Sequence, residues 1–249
     1  MSAVVTREPT VQGPPPRTVY AVGGIVLAAI LVAAVVALAA WPFVSRRTAG
    51  NHVVSGLVAG REEATLDLLT GVTAVTVSAE DLGDTLYRVE SPQTPTATES
   101  TADRGRIDVA VNGADASVII KLNRDVRWTL RFTGGAQRNG ADLHDLRHLA
   151  GVQYVGGVST IELSLPPADG AVPVRVGGGA DAVRIHATGR APARVRAGGG
   201  AGTVTVDGEA HTGVTAGSVF AGPGWDDAHD RYDVDATGGV STITVDRNR

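Results

Sequence analysis

The sequence predicts an all-β protein, a β-solenoid or flattened two-sheet stack of ~21-residue repeats, preceded by one transmembrane α-helix. Three observations carry that prediction. Gly113, Gly134, Gly156, Gly178 and Gly199 recur at intervals of 21, 22, 22 and 21 residues, and Gly238 follows 39 residues later. Apolar and polar residues alternate on both sides of these glycines, the period of an extended strand with one buried face. Upstream of the pattern lies an uncharged run of 28 residues, 18–45.

The N-terminal elements follow from hydropathy. Residues 1–17 form a polar tail containing Pro9, Pro14, Pro15 and Pro16. Residues 18–45 exceed the ~20 apolar residues that a helix needs to cross a bilayer core. Tyr20 and Trp41 stand at the ends of the run, where interfacial aromatics belong, and Pro42 stands where a helix stops. A cleavable signal peptide would have a shorter apolar region nearer the start. Arg7 and Arg17 before the span nearly balance Arg46 and Arg47 after it. Long domains translocate largely regardless of charge, so the expected topology is tail inside and C-terminal domain outside; a cytoplasm-facing domain is the alternative. Residues 46–63 read as a linker and 64–249 as the β-repeat domain.

Within that domain the positions two and four before each glycine are apolar, as in Val111/Val109, Phe132/Leu130 and Val176/Val174. The pattern returns five and seven residues after it, as in Val118/Ile120, Ile161/Leu163 and Ile243/Val245. Thr70 takes an equivalent place upstream. A helix would have to carry repeated Gly-Gly pairs at about 1 kcal/mol per glycine relative to alanine. Each unit therefore reads as strand, glycine corner, strand and return loop, the glycine accepting positive φ and close backbone approach. Eight to nine turns fit if both wide gaps hide an irregular one. The rhythm breaks at Asn139 and Ala141, and residues 91–105 read as a mobile loop.

The units "VQYVGGVSTIELSLP", "VPVRVGGGADAVRIHA", "ARVRAGGGAGTVTVDG" and "YDVDATGGVSTITVDR", behind a hydrophobic anchor, resemble the putative-adhesin, or toast-rack, domain of bacterial envelope proteins, those of actinobacteria in particular. The resemblance spans roughly residues 60–249. It implies stacked β-strands and a role in adhesion or envelope sensing, and it brings no catalytic residues.

Composition excludes several chemistries. With 22 Lys and Arg against 26 Asp and Glu the net charge is −4, without the basic excess of a nucleic-acid binder. The absence of cysteine excludes disulfides, thiolate metal sites and cysteine nucleophiles. Asp142, His144, Asp145 and His148 would offer two histidines at i, i+4 on a helix, but the general-base Glu of a zincin motif is missing, and a polar return loop or short surface helix is the plainer reading. Asp226, Asp227, His229 and Asp230 supply oxygen ligands without a calcium-loop pattern and read as an exposed turn. The glycine clusters 177–179 and 198–200 lack the phosphate-loop arrangement, and Ser218 lacks a nucleophile-elbow context. No catalytic, cofactor-binding or metal residue is therefore assigned, and no cofactor is expected. The enzyme alternative is a polysaccharide-cleaving β-helix.

One outward column has functional character. Three residues before each anchor stand Ala110, Arg131, Gln153, Arg175, Arg196 and, further on, Asp235. Stacked in register, Arg131, Arg175 and Arg196 would line one face at about 5 Å per turn, suited to carboxylates or phosphates. The expectation is a non-enzymatic, single-span membrane protein displaying this surface at the cell envelope in adhesion, scaffolding or envelope sensing; the alternative is a cytoplasm-facing regulator of a membrane signalling partner. Its expected partners are the membrane and a cell-wall polymer or envelope protein.

Overall fold

The computed structural model describes residues 51–99, 105–113 and 116–248, and every regular element in them is a β-strand. The tail expected at 1–17 and the membrane helix expected at 18–45 lie outside the described residues. Among the described residues no helix is long and apolar enough to cross a membrane.

In chain order the strands begin with β1 (His52–Leu57), β2 (Glu63–Leu68), β3 (Val72–Glu80), β4 (Thr85–Ser91) and β5 (Pro95–Glu99). Then come β6 (Arg106–Val111), β7 (Ser117–Asn123), β8 (Arg127–Phe132), β9 (Ala136–Asp142), β10 (Leu149–Tyr154) and β11 (Val158–Leu165). The last are β12 (Ala171–Val176), β13 (Ala180–Thr188), β14 (Ala193–Ala197), β15 (Ala201–Val206), β16 (Glu209–Val214), β17 (Ser218–Ala221), β18 (Arg231–Ala236) and β19 (Val240–Asn248). They form a ten-stranded sheet, β1-β4-β7-β3-β9-β11-β13-β19-β15-β16, and a nine-stranded sheet, β17-β14-β18-β12-β10-β8-β2-β6-β5.

The repeat is a coil with one strand in each sheet, paired in parallel with the coils beside it. Among the described residues seven such coils occur: β2/β3, β6/β7, β8/β9, β10/β11, β12/β13, β14/β15 and β18/β19. The alternating apolar positions all point between the sheets, where Leu66, Leu130, Val174, Ile161, Ile185 and Ile243 are at most 1% exposed. Burying a side chain of this kind contributes ~1.5–3 kcal/mol. The inner layer is continuous because each coil extends its neighbour's core, which no single coil could close.

The corner glycines serve close approach. A Cβ on Gly178 would stand 2.4 Å from the Gly156 carbonyl, and one on Gly156 would stand 2.7 Å from the Gly134 carbonyl carbon. Gly134 in turn faces the Thr70 carbonyl oxygen at 2.1 Å from such a Cβ. None of these three has positive φ, so at them steric crowding by the next coil's backbone, and not conformation, selects glycine; the anchor Gly113, at φ +133°, does take the positive φ expected.

The coils do not stack in chain order, which sequence spacing could not show. The second coil, β6/β7, lies outside the first, and the last, β18/β19, inserts between β12/β13 and β14/β15. First and last coils are thus flanked on both sides. The wide gaps in the repeat hold antiparallel caps in place of hidden turns: β4 on β7, β5 on β6, β16 on β15, and β17 on β14, while β1, upstream of both gaps, pairs with the outer side of β4. The count is therefore seven turns, below the expected eight to nine. Strand β1 falls inside the segment 46–63 expected as linker, and β5 inside the segment 91–105 expected as loop. Both were illegible because an edge strand with one free side needs little apolar patterning. These edges are short or interrupted, by Pro95 at the start of β5, a register shift at Gly56/Leu57 in β1, and positive φ at Gly213 in β16. Such features discourage sheet continuation into another chain.

The rhythm does not break after Gly134 either. β9 pairs in register with β3 and β11, and Asn139 points inward between Val75 and Ile161, 1% exposed. The Tyr154 hydroxyl donates to Asn139 Oδ1 at 3.2 Å, a polar pair replacing two apolar side chains.

Candidate binding surface

Outward side chains on the nine-stranded sheet form rows that run across strands ~4.8 Å apart. The row holding the three arginines reads, in spatial order, Arg196, Asp235, Arg175, Gln153, Arg131, Asp67 and Asp108. Arg131, Arg175 and Arg196 do share one row. They do not form a contiguous basic stripe, because the insertion of β18 sets Asp235 between Arg175 and Arg196, and Gln153 separates Arg175 from Arg131. Ala110 leaves the row: the corner of its coil is two residues longer, so Asp108 pairs with Asp67 in its place.

The row divides into two electrostatic halves. At one end Asp67, 1% exposed, accepts from Thr133 Oγ1 at 2.7 Å and from Arg106 Nη2 at 2.9 Å, and lies 3.2 Å from Arg131 Nε. Arg131 also donates to Gln153 Oε1 at 3.1 Å, and Arg106 Nε donates to Asp108 at 2.7 Å. Arg131 is thereby engaged inside the protein. At the other end Arg175 and Arg196 are exposed, and among the described residues neither makes an ion pair within 4.0 Å. Between them Asp235 is half-buried, with an Oδ1 that is buried and has no hydrogen-bond partner among the described residues.

The adjoining row is structural. Arg194 binds Asp233 through two hydrogen bonds, 3.0 and 2.9 Å, and lies 3.7 Å from the centre of the Trp225 ring. Arg231 stacks on the same ring at 4.7 Å, and the indole Nε1 donates to Tyr232 O at 2.9 Å. The Trp225 insertion is thus fastened to the sheet by two cation–π contacts and the indole hydrogen bond. Sequence reading missed this anchor. It also missed Asp67, although Asp67 sits three residues before Thr70, the same offset as Arg131 before Gly134.

The two ionisable clusters stay dispersed. Residues 142–148 form no helix; Leu143 and Leu146 are buried and turn the loop back to β10. His144 Nδ1 meets Asp142 at 2.5 Å, whereas His148 Nδ1 meets Asp169 at 2.8 Å. The hydrogen bond to Asp142 raises the His144 pKa above 6.5. Asp230 accepts from Gly170 N at 2.8 Å, and His229 is exposed. Among the described residues no three His, Asp or Glu side chains gather as a metal cage. Along the corners of the ten-stranded sheet runs an open groove of about 890 Å³, lined by backbone and small residues including Gly157, Gly179, Gly239 and Asp181.

With this geometry in hand, comparison with solved structures finds the same architecture elsewhere. A crystal structure from Clostridium sporogenes described as a "putative cell adhesion protein" superposes with TM-score 0.63 at 17% identity, covering 80% of this chain and 99% of that one. A second match is a "putative adhesin" from Bacteroides fragilis, with TM-score 0.27 and 10% identity over 80% of this chain and 98% of that one. The first likeness establishes an adhesin-like fold. No family model matches the chain. No curated protein matches it.

Proposed function

We propose that the chain is a non-enzymatic display domain, tethered to the bacterial cell membrane by the span expected at 18–45 and working outside the cytoplasm in adhesion or scaffolding. Its binding face is the outer surface of the nine-stranded sheet, and its partner class is an anionic cell-wall polymer. The observation that carries this reading is the pair of exposed guanidiniums, Arg175 and Arg196, which make no ion pair within 4.0 Å among the described residues, on a face of regular strand spacing. Arginine forks pair readily with carboxylate or phosphate. The Clostridium structure, described as that of a cell adhesion protein, agrees with such a role.

Replacing Arg131, Arg175 and Arg196 together with Gln weakens co-sedimentation with purified cell wall in low salt. Arg175 and Arg196 carry the loss, since Arg131 is occupied by Asp67 and Gln153. Unchanged sedimentation of the triple variant rejects the surface. Protease treatment of intact cells tests topology: a protected C-terminal domain rejects outward display and favours a cytoplasm-facing regulator.

A further inference from the structure

Five strands contribute to the free half of the row: Val219 on β17, Arg196 on β14, Asp235 on β18, Arg175 on β12 and Gln153 on β10. Their spacing of ~4.8 Å is close to the length of one sugar in an extended pyranose chain. Cations stand on alternate strands, ~9.6 Å apart by that spacing. The position between them holds the half-buried carboxylate of Asp235, of which Oδ1 is buried, and the position beyond Arg175 holds an amide. Gln153 Oε1 is taken by Arg131, which leaves the Gln153 amide nitrogen as a donor. Val219, 53% exposed, offers an apolar contact at the far end of the row.

We propose that this row is a subsite for a linear acidic polysaccharide in which carboxylate-bearing and neutral sugars alternate. The proposal rests on the display reading above and specifies its ligand. Arg196 and Arg175 each take the carboxylate of an acidic sugar, and Asp235 accepts a hydroxyl from the neutral sugar between them. Rotation about χ2 only exchanges two equivalent oxygens, so one oxygen stays buried and the sugar hydroxyl is accepted by the other. Asp235 also selects. A polymer with an acid on every sugar would set a carboxylate against it, and like-charge juxtaposition across an interface penalises the wrong partner. A face with arginines alone would prefer that more highly charged polymer.

The test uses the full chain in detergent micelles at about 0.15 M salt, titrated with two probes of equal length: hyaluronan oligosaccharides, in which the acid alternates, and oligogalacturonate, in which every sugar is acidic. The expected result is at least about tenfold tighter binding of hyaluronan, with Arg175→Gln and Arg196→Gln each lowering it by about tenfold. Asp235→Asn is expected to strengthen oligogalacturonate binding until the two probes differ by less than about threefold. Arg175 and Arg196 are exposed and Asp235 is half-buried on the same outer face, and thermal melts that match the parent chain confirm folding. Equal binding of both probes by the parent, or a preference that survives Asp235→Asn, overturns the alternating-glycan subsite while leaving an anionic-polymer surface in place. Binding of neither probe, with cell-wall sedimentation retained, also overturns the subsite. Loss of both removes the display reading with it.

Discussion

Substituting Gly178 by alanine tests the physical basis of the stack. The new Cβ would stand 2.4 Å from the Gly156 carbonyl carbon and oxygen and 2.6 Å from Gly157 N, all backbone atoms of the adjoining coil. Restoring ordinary contact requires the coils to part locally by about 1 Å. The hydrogen bonds nearest the corner are Gly177 N to Tyr154 O, 2.7 Å, and Val158 N to Gly179 O, 3.1 Å. Parting by that amount carries both beyond hydrogen-bonding range, a loss of ~1 kcal/mol each. Overpacking strain adds ~1–3 kcal/mol. The expected destabilisation is about 3–5 kcal/mol, or roughly 6–20 °C in Tm for a domain of this size. Gly179, the next residue, is the control. Its Cβ would meet only Gly239 O at 3.5 Å, and its φ is not positive. Gly179→Ala is therefore neutral, or stabilising by ~0.4–1 kcal/mol through the unfolded chain. Thermal unfolding of the full-length variants reads both effects. Equal losses for the two, or a Gly178→Ala melt within about 2 °C of the parent, would refute the close-approach account.

Two further outcomes follow from buried and loop contacts. Asn139→Val alone strands the Tyr154 hydroxyl in the core and costs ~1–3 kcal/mol, whereas Asn139→Val with Tyr154→Phe is neutral or stabilising because both partners of the pair are removed. Denaturant midpoints decide this, and additive losses would sink it. At the surface, the Asp142 hydrogen bond raises the His144 pKa above the unfolded value of 6.5. Its small stabilisation is complete below that value and disappears as pH rises through the folded pKa. Proton NMR should show the His144 titration falling toward 6.5 in Asp142→Asn; an unmoved midpoint contradicts the assignment.

Much of the core was legible from the chain. Val109, Leu130, Val152, Val174, Val195 and Val234 were marked inward by alternation alone and are all buried, because period-two patterning is a local property of a strand with one dry face. Phase across a corner was less legible. Gly113 marks its coil correctly on the following strand, where Val118 pairs with Val75, but misplaces the preceding strand by two residues. The caps β1 and β5 were read as linker and loop, since both bury little; β5 pairs with the next strand, β6, whereas β1 pairs with β4 across two intervening strands.

Sequence by itself determined that this domain is a stack of glycine-cornered β coils, and which face of each strand turns inward, because both depend on side chains within one repeat. Only the tertiary structure decided the order of the coils. Identical repeats satisfy each other's backbone hydrogen bonds in any order, so spacing carries no record of which coil lies beside which. That order turned the expected arginine stripe into an alternating row, by setting Asp235 from the last coil between Arg175 and Arg196.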